Sequence, residues 1–115
     1  MTIKIYHNPR CSKSRQTLQL LEENGVQPEI IEYLKNSPSK DELISVLNSL
    51  GLSPRDLMRK GESIYKELNL KNNELSDEQL VNAMLENPIL IERPIVLANG
   101  KAAIGRPPES VLDIL

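Results

Sequence analysis

The sequence predicts an α/β fold in which a mixed four-stranded sheet is flanked by helices. Three observations predict it: short apolar strand-like segments near both ends of the chain, amphipathic helical segments between them, and turn residues at the boundaries. Their order is strand–helix–strand, then a helical insert, then strand–strand–helix. Such elements bury their apolar faces when helices pack on the faces of one sheet.

Length and composition set the class of protein. The 115 residues correspond to one ordinary domain, so we expect a single domain over residues 1–115. The chain has a net charge of −2 and no basic arm, which argues against nucleic-acid binding. No apolar run approaches the roughly 20 residues that span a bilayer. The N-terminal Met1-Thr2-Ile3-Lys4-Ile5 lacks the apolar region of a signal peptide, and the single cysteine excludes an internal disulfide. These features predict a cytoplasmic protein that does not enter a membrane.

The first half-sheet is predicted from residues 3–33. Ile3–Tyr6 alternates apolar and polar residues as a strand does, and His7-Asn8-Pro9 ends it. A helix should begin near Cys11 or Ser12 and stop at Asn24-Gly25. Glu29–Tyr33 is the second predicted strand, which a strand–helix–strand unit makes parallel to the first.

The predicted insert is helical. Ser39-Lys40-Asp41-Glu42 and Ser76-Asp77-Glu78-Gln79 have the pattern of capping boxes, in which side chains satisfy free backbone amides. Gly51 and Asn87-Pro88 are typical stops for the two helices that follow. Ser53-Pro54 predicts a short helix between them.

The last segment returns to strands. Ile95–Leu97 and Ala102–Ile104 flank Asn99-Gly100, the strongest short hairpin signal. A closing helix is predicted around Val111 and Leu112. The complete order of elements matches a thioredoxin-like fold.

Cys11 is the candidate catalytic residue. A single cysteine in a cytoplasmic protein is often an inert buried side chain. This one, however, follows a Pro-containing loop and stands at a predicted helix start, where free N–H groups and the helix dipole favour the thiolate and can hold an anion. We therefore predict a lowered pKa and a nucleophilic sulfur.

Neighbouring residues support that interpretation. Arg10, Lys13 and Arg15 lie within four residues of Cys11, and His7 lies across the loop. Cations stabilise a thiolate and attract an anionic substrate. Alternatively, Arg10, Lys13 and Arg15 form a solvated surface and His7 simply caps the end of the strand. Ser14 occupies the second position of a Cys-x-x-Cys spacing, so an oxidised Cys11 needs an outside thiol. The Ser14 hydroxyl is a candidate donor to the thiolate.

Three arginines from distant positions are candidate oxyanion ligands. Arg93 and Arg106 each precede a proline, which favours an extended conformation, and Arg59 lies at the end of the short predicted helix. Arginine binds tetrahedral oxyanions through two nitrogens more readily than lysine does. Sequence spacing does not show whether the three converge.

The sequence resembles the glutaredoxin-coupled arsenate reductase family. The likeness rests on His7–Arg15, on Glu92-Arg93-Pro94-Ile95-Val96 and on Gly105-Arg106-Pro107-Pro108-Glu109, and it covers almost the whole chain. Resistance-type members carry Gly-Thr between the cysteine and the serine. Here Ser12-Lys13 occupies those places, so the chain is more similar to a housekeeping branch.

The resemblance implies a set of roles. Cys11 would be the nucleophile, Arg59, Arg93 and Arg106 would hold the oxyanion, and His7, Ser14, Arg15 and Pro94 would support them, with Arg93-Pro94 cis. Arsenate would react with the thiolate, and glutathione as co-substrate and glutaredoxin as partner would supply electrons until arsenite is released. No metal or bound organic cofactor is implied.

Two other functions fit the same features. A thiol transferase acting on glutathione mixed disulfides also works with one cysteine. A redox regulator resembling Spx, which binds RNA polymerase, shares the fold, but that class commonly uses a Cys-x-x-Cys switch that Ser14 does not provide.

Overall fold

The computed structural model describes residues 3–115, and these form two compact units. One unit contains the chain up to Asn36 together with Arg93–Leu115, and the other contains Ser37–Glu92. The sequence-based expectation of a single domain over 1–115 stays a prediction, and its first two residues lie outside the described part of the chain. None of the helices in residues 3–115 is long and apolar enough to cross a membrane.

The first unit is built on a four-stranded mixed sheet. Its strands are β1 (Lys4–Tyr6), β2 (Glu29–Ile31), β3 (Ile95–Ala98) and β4 (Lys101–Ile104), in the order β2-β1-β3-β4. β1 is parallel to β2 and antiparallel to β3, and β3 is antiparallel to β4. This is the predicted mixed four-stranded sheet.

Helix α1 (Ser12–Glu23) and a C-terminal 3₁₀ segment (Pro108–Ile114) pack together in this unit. Their shared core is aliphatic and consists of Ile5, Leu21, Val96, Ala98, Val111 and Ile114. The predicted hairpin is present, with Asn99 and Gly100 both at positive φ. Asn99 Nδ2 also donates to the carbonyl of Ile114 over 2.9 Å, which holds the end of the chain against the turn.

The second unit is helical. It contains α2 (Lys40–Leu50), α3 (Pro54–Leu57), α4 (Ser63–Glu67), α5 (Asp77–Glu86) and a 3₁₀ turn at Pro88–Leu90. Both predicted capping boxes are formed, at Ser39 and at Ser76. An antiparallel bridge joins Met58, directly after α3, to Ile91, directly after the 3₁₀ turn.

The structure corrects three details of the sequence-based assignment. β2 ends at Ile31 rather than Tyr33, because Glu32 accepts the N–H groups of Lys35 and Asn36 and the chain turns there. The closing segment is 3₁₀ in character. Helix α4 has no side-chain cap and only five residues, so it left no signal in the sequence.

Candidate active site

The site is built around Cys11, the residue that precedes the first turn of α1. Cys11 has an extended backbone with φ −93° and ψ 123°, and the helix begins at Ser12. The preceding loop is tied by two bonds from Asn8: its carbonyl accepts the Cys11 N–H at 3.0 Å, and its Oδ1 accepts the Arg10 N–H at 3.0 Å. Asn8 therefore shapes the loop that presents the sulfur, a role the sequence did not reveal.

The environment of the sulfur favours its charged form. Cys11 is partly exposed. Burial raises the pKa of Cys11. Hydrogen bonds from the Ser14 N–H, the Arg93 guanidinium and the Lys13 N–H together lower it by more than burial raises it, so the pKa lies below the ordinary value. The backbone donors are among the N–H groups that a helix start leaves without intrahelical partners.

Two of the three predicted arginines are found at this sulfur. Arg106 Nη2 lies 3.4 Å from Cys11 Sγ, and Arg106 Nε donates to the carbonyl of Arg93 over 2.8 Å. Arg93 is 9% exposed, whereas Arg106 is exposed. The peptide bond at Arg93-Pro94 is cis as predicted, and that at Arg106-Pro107 is also cis, which the sequence did not indicate. Two guanidinium groups thus meet one sulfur.

His7 and Ser14 form a buried pair beneath the loop. His7 Nδ1 lies 2.6 Å from Ser14 Oγ, and the same oxygen accepts the Asn8 N–H at 3.0 Å. Burial lowers the pKa of His7; Glu32 opposes this shift and Arg15 adds to it. The Ser14 hydroxyl therefore binds His7 and Asn8, while it is the Ser14 backbone N–H that donates to Cys11.

Arg15 supports the loop rather than the sulfur. Its Nη1 donates to the carbonyl of Pro9 over 2.9 Å, at the surface. This contact joins Pro9 to the first full turn of α1, so Arg15 restrains the loop. The positive charge of Arg15 lies near His7 and lowers the pKa of that side chain.

Arg59 belongs to the second unit, where two carboxylates bind it. Its Nε lies 3.0 Å from Glu62 Oε2 and its Nη1 lies 2.8 Å from Glu92 Oε1. Burial lowers the pKa of Arg59, but the two carboxylates raise it more, so this guanidinium is firmly charged. Its predicted contact with an oxyanion stays a prediction.

Gly105 begins one of the motifs quoted above, but the sequence assigned it no role of its own. A Cβ at this position would lie 2.7 Å from Pro94 Cγ and would also collide with the Thr17 side chain. The Gly105 N–H donates to the carbonyl of Pro94 over 2.9 Å. Because Gly105 has no side chain, Thr17 of α1 and Pro94 can both pack closely against it, directly before Arg106.

Residues 3–115 contain no group of three or more His, Cys, Asp or Glu side chains placed to hold a metal ion. The chemistry of this unit is that of a cysteine with a lowered pKa at a helix start, with two guanidinium groups beside its sulfur. A sulfur in this setting can act as a nucleophile toward an anion.

A family comparison identifies the chain. The model of the ArsC family matches residues 6–114. The chain belongs to the ArsC family. This match includes Cys11, Arg59, Arg93 and Arg106.

Several relatives of this ArsC-family chain span almost its whole length. YfgD of Escherichia coli K12, described as an uncharacterized protein, is 60% identical over 114 residues, which cover 98% of this chain and 96% of YfgD. A Neisseria meningitidis serogroup A protein named arsenate reductase is 53% identical over 114 residues, covering 98% and 97%. A solved structure named arsenate reductase from Vibrio cholerae has 57% identity and a TM-score of 0.97, covering 100% of this chain and 98% of the other. The thioredoxin-like α/β fold predicted for this ArsC-family chain is thereby confirmed.

Proposed function

We propose that the protein reduces arsenate to arsenite through a covalent adduct on Cys11, with glutathione and glutaredoxin as electron donors. The observation that carries the proposal is the Cys11 sulfur, whose lowered pKa and 3.4 Å contact with Arg106 Nη2 make it an anion-facing nucleophile. Relatives at 53% identity are named arsenate reductases. A reducing cytoplasm is the setting in which this thiol would persist.

The first step forms a sulfur–arsenic bond. The Cys11 thiolate attacks arsenic in dihydrogen arsenate, one As–O bond breaks, and the departing oxygen takes up a proton and leaves as water. Arsenic stays pentavalent in the resulting thioester-like adduct. Arg93 and Arg106 are assigned to the oxyanion because guanidinium groups neutralise the charge that gathers on its oxygens.

The second step is the reduction. The sulfur of glutathione forms a bond to Cys11 Sγ, and the electron pair of the S–As bond stays on arsenic, which leaves as trivalent arsenite. The glutathione thiol proton passes to the departing arsenite oxygen. Cys11 is then held in a mixed disulfide with glutathione.

The third step regenerates the enzyme. Ser14 stands where a resolving cysteine would stand, and Cys11 is the single cysteine of the chain. A glutaredoxin thiolate therefore attacks the glutathione sulfur, the S–S bond breaks, and the Cys11 thiolate is released.

The test is arsenate-dependent NADPH oxidation in the presence of glutathione, glutaredoxin and glutathione reductase, with arsenite measured directly. We expect Cys11→Ser to abolish turnover and exposed Ser12→Ala to retain it. If NADPH oxidation proceeds at the same rate without arsenate and depends instead on added glutathione mixed disulfides, the protein is a thiol transferase and the proposal fails.

The predicted contribution of Arg59 is tested in the same assay. Arg59→Lys keeps the positive charge beside Glu62 and Glu92 but removes the planar guanidinium group, which can bind an oxyanion through two nitrogens. If Arg59 binds the oxyanion, the KM for arsenate rises while the KM for glutathione does not change. Equal KM values in the wild type and the variant would remove Arg59 from the site.

A further inference from the structure

Asn8 is almost buried in the loop that carries Cys11, and most of its polar groups are bound within that loop. The residue is 5% exposed. Its N–H donates to Ser14 Oγ over 3.0 Å, and its carbonyl accepts the Cys11 N–H at 3.0 Å. Its side-chain Oδ1 accepts the Arg10 N–H at 3.0 Å. Together these contacts hold the Asn8 side chain in one position.

The orientation of the Asn8 side-chain amide follows from its bond to Arg10. A backbone N–H bonds to the oxygen end of an amide, so the nitrogen Nδ2 is the opposite end. The two ends of an amide group are about 2.2 Å apart, which places Nδ2 within about 5 Å of the Arg10 nitrogen. The amide nitrogen therefore belongs to the same turn of chain as Cys11, the next residue.

The nitrogen Nδ2 is a donor that the loop leaves open. Within residues 3–115 no group accepts either of its two hydrogens. Asn8 has no polar atom that is both enclosed by protein and without a partner, so Nδ2 is reachable from solvent. Donors on buried side chains are normally bound to protein, water or a ligand. An external acceptor therefore completes the bonding of this amide.

The other donors around the sulfur are already engaged with it. Two backbone N–H groups of the first helical turn and the Arg93 guanidinium bond to Cys11 itself. Arg106 Nη2 lies 3.4 Å from the same sulfur. The described groups that shift the pKa of Cys11 do not include Asn8. The Asn8 amide thus leaves the charge of the sulfur unaffected and is free to act on a ligand.

A rigid amide beside an anion-facing sulfur suits an oxyanion. Side-chain amides of asparagine serve as oxyanion donors because they point a fixed dipole at the place where negative charge develops. Their cost of ordering is low when the side chain is already held, as that of Asn8 is. A cation does not fit here, because two guanidinium groups make this part of the unit positive and Nδ2 can only donate.

We propose that Asn8 Nδ2 is a further oxyanion donor of the site and hydrogen-bonds an oxygen of the tetrahedral anion that Cys11 attacks. The inference rests on the proposed function, in which an oxyanion meets this sulfur. It adds a neutral donor to the guanidinium groups of Arg93 and Arg106. The two ends of the Asn8 amide then have different roles: the oxygen shapes the loop, and the nitrogen binds the anion.

The test measures anion binding without arsenate reduction. Phosphate is a tetrahedral oxyanion like arsenate, and when it lies beside Cys11 it slows alkylation of the sulfur by neutral iodoacetamide. The phosphate concentration that gives half-maximal protection reports the affinity of the anion. The alkylation rate without phosphate, recorded as a function of pH, reports the pKa of Cys11 and hence whether the loop is intact.

Asn8→Ser is the first variant. The serine hydroxyl can accept the Arg10 N–H in place of the amide oxygen, whereas the amide nitrogen is lost. We expect the half-protecting phosphate concentration to rise about tenfold, as for loss of one hydrogen bond to a charged group. The alkylation profile without phosphate should not change. The matched control is Asn24→Ser, the same substitution at the exposed opposite end of α1, which should change neither quantity.

Asn8→Asp is the second variant and is nearly isosteric. It keeps the oxygen that accepts the Arg10 N–H but puts a carboxylate oxygen in place of Nδ2, so phosphate should protect it less than Asn8→Ser. Half-protecting concentrations equal to that of the wild type in both variants overturn the proposal. A loss of protection in Asn8→Ser that comes with a shifted alkylation profile also overturns it, because Asn8 would then act through the loop.

The same measurement separates this inference from the proposed function. Phosphate is not reduced, so weaker protection of Asn8→Ser supports the donor even if the NADPH assay detects no arsenate reduction. If arsenate is reduced but phosphate protects the wild type and Asn8→Ser equally, the donor is wrong and the proposed function stands. If phosphate does not slow alkylation of the wild type, there is no anion for Asn8 to bind, and the inference fails.

Discussion

At the scale of single residues, opposing influences set the charge of the Cys11 sulfur. Burial raises its pKa, and donors from the Ser14 N–H, the Arg93 guanidinium and the Lys13 N–H lower it to a greater extent. Two of these donors are backbone groups, which substitution of a side chain leaves in place. The Arg93 guanidinium, and that of Arg106 at 3.4 Å from the sulfur, are therefore the groups that mutation can remove.

Replacing Arg106 tests how far its charge contributes. Arg106→Gln removes a positive group whose Nη2 lies 3.4 Å from the sulfur, so the pKa of Cys11 should rise. The rate of alkylation by iodoacetamide near neutral pH should fall roughly threefold to tenfold, as expected for loss of one nearby opposite charge. The measurement is the alkylation rate as a function of pH.

Arg106→Lys is the matched variant for that experiment. It keeps the charge but loses the Nε–H that donates to the Arg93 carbonyl over 2.8 Å, so it should alkylate faster than Arg106→Gln and still reduce arsenate poorly. An alkylation profile for Arg106→Gln that superimposes on the wild type would show that Arg106 does not influence the thiolate.

At the scale of elements, the approach of α1 to the end of β4 depends on Gly105. A Cβ there would lie 2.7 Å from Pro94 Cγ and would collide with Thr17. Thr17 is fully buried, and its hydroxyl donates to the Lys13 carbonyl over 2.8 Å. The first turn of α1 and the Pro94 loop therefore share one tightly packed contact.

Gly105→Ala should separate these elements. We expect a loss of stability of about 1–3 kcal/mol, typical of overpacking, and slower reaction of Cys11 because Arg106 follows directly. Urea unfolding and alkylation rate measure the two effects. Thr17→Ala in the same chain removes part of the collision, so the double variant should recover some stability. No recovery would mean that the contact with Pro94 alone is responsible.

Capping stabilises the helices of the second unit. At α2, Ser39 Oγ accepts the Glu42 N–H at 3.2 Å, and Glu42 Oε1 accepts the Ser39 N–H at 3.2 Å. Ser39→Ala should lower the free energy of unfolding by about 1 kcal/mol, which is visible as a drop of a few degrees in Tm. Ser45→Ala, an exposed change within the same helix, is the control and should not lower Tm. Equal Tm values for the two variants would contradict the contribution of the cap.

At the scale of the whole molecule, the one histidine of the chain links stability to pH. Burial lowers the pKa of His7, Glu32 opposes this, and Arg15 adds to it. The unfolded chain therefore binds a proton that the folded chain does not, once the pH falls below the ordinary histidine pKa of about 6.5. Above that pH both states are neutral and His7 contributes no pH dependence.

The expected result is that the wild type loses stability between pH 7.5 and pH 5.5 more steeply than His7→Asn, a polar variant that does not titrate. The difference in slope should not exceed about 1.4 kcal/mol per pH unit for one group. Urea unfolding at several pH values measures it. Parallel curves for the two proteins would show that His7 titrates alike in the folded and unfolded chains.

The local elements of this fold were predictable because their signals are short in range. Capping boxes act over three residues, and both form as expected at Ser39 and Ser76. Asn99-Gly100 closes a hairpin between adjacent strands. Helix α4 was missed because its five residues lack a side-chain cap. Cys11 was predicted as the nucleophile because a helix start places free N–H groups at a nearby residue, and the structure places it directly before α1 with the Lys13 and Ser14 N–H groups donating to its sulfur.

By itself, then, the sequence determined the order of the strands and of the helices other than α4, the position of Cys11 at the start of α1, and the absence of a second cysteine in the chain. Only the tertiary structure decided that Arg106 reaches the sulfur across 95 residues of chain, and that Gly105 makes room for Pro94 and Thr17. The physical reason is distance along the chain. Caps and turns are set by neighbouring residues, whereas the meeting of β1, β3 and β4 with α1 depends on packing the whole aliphatic core of the first unit.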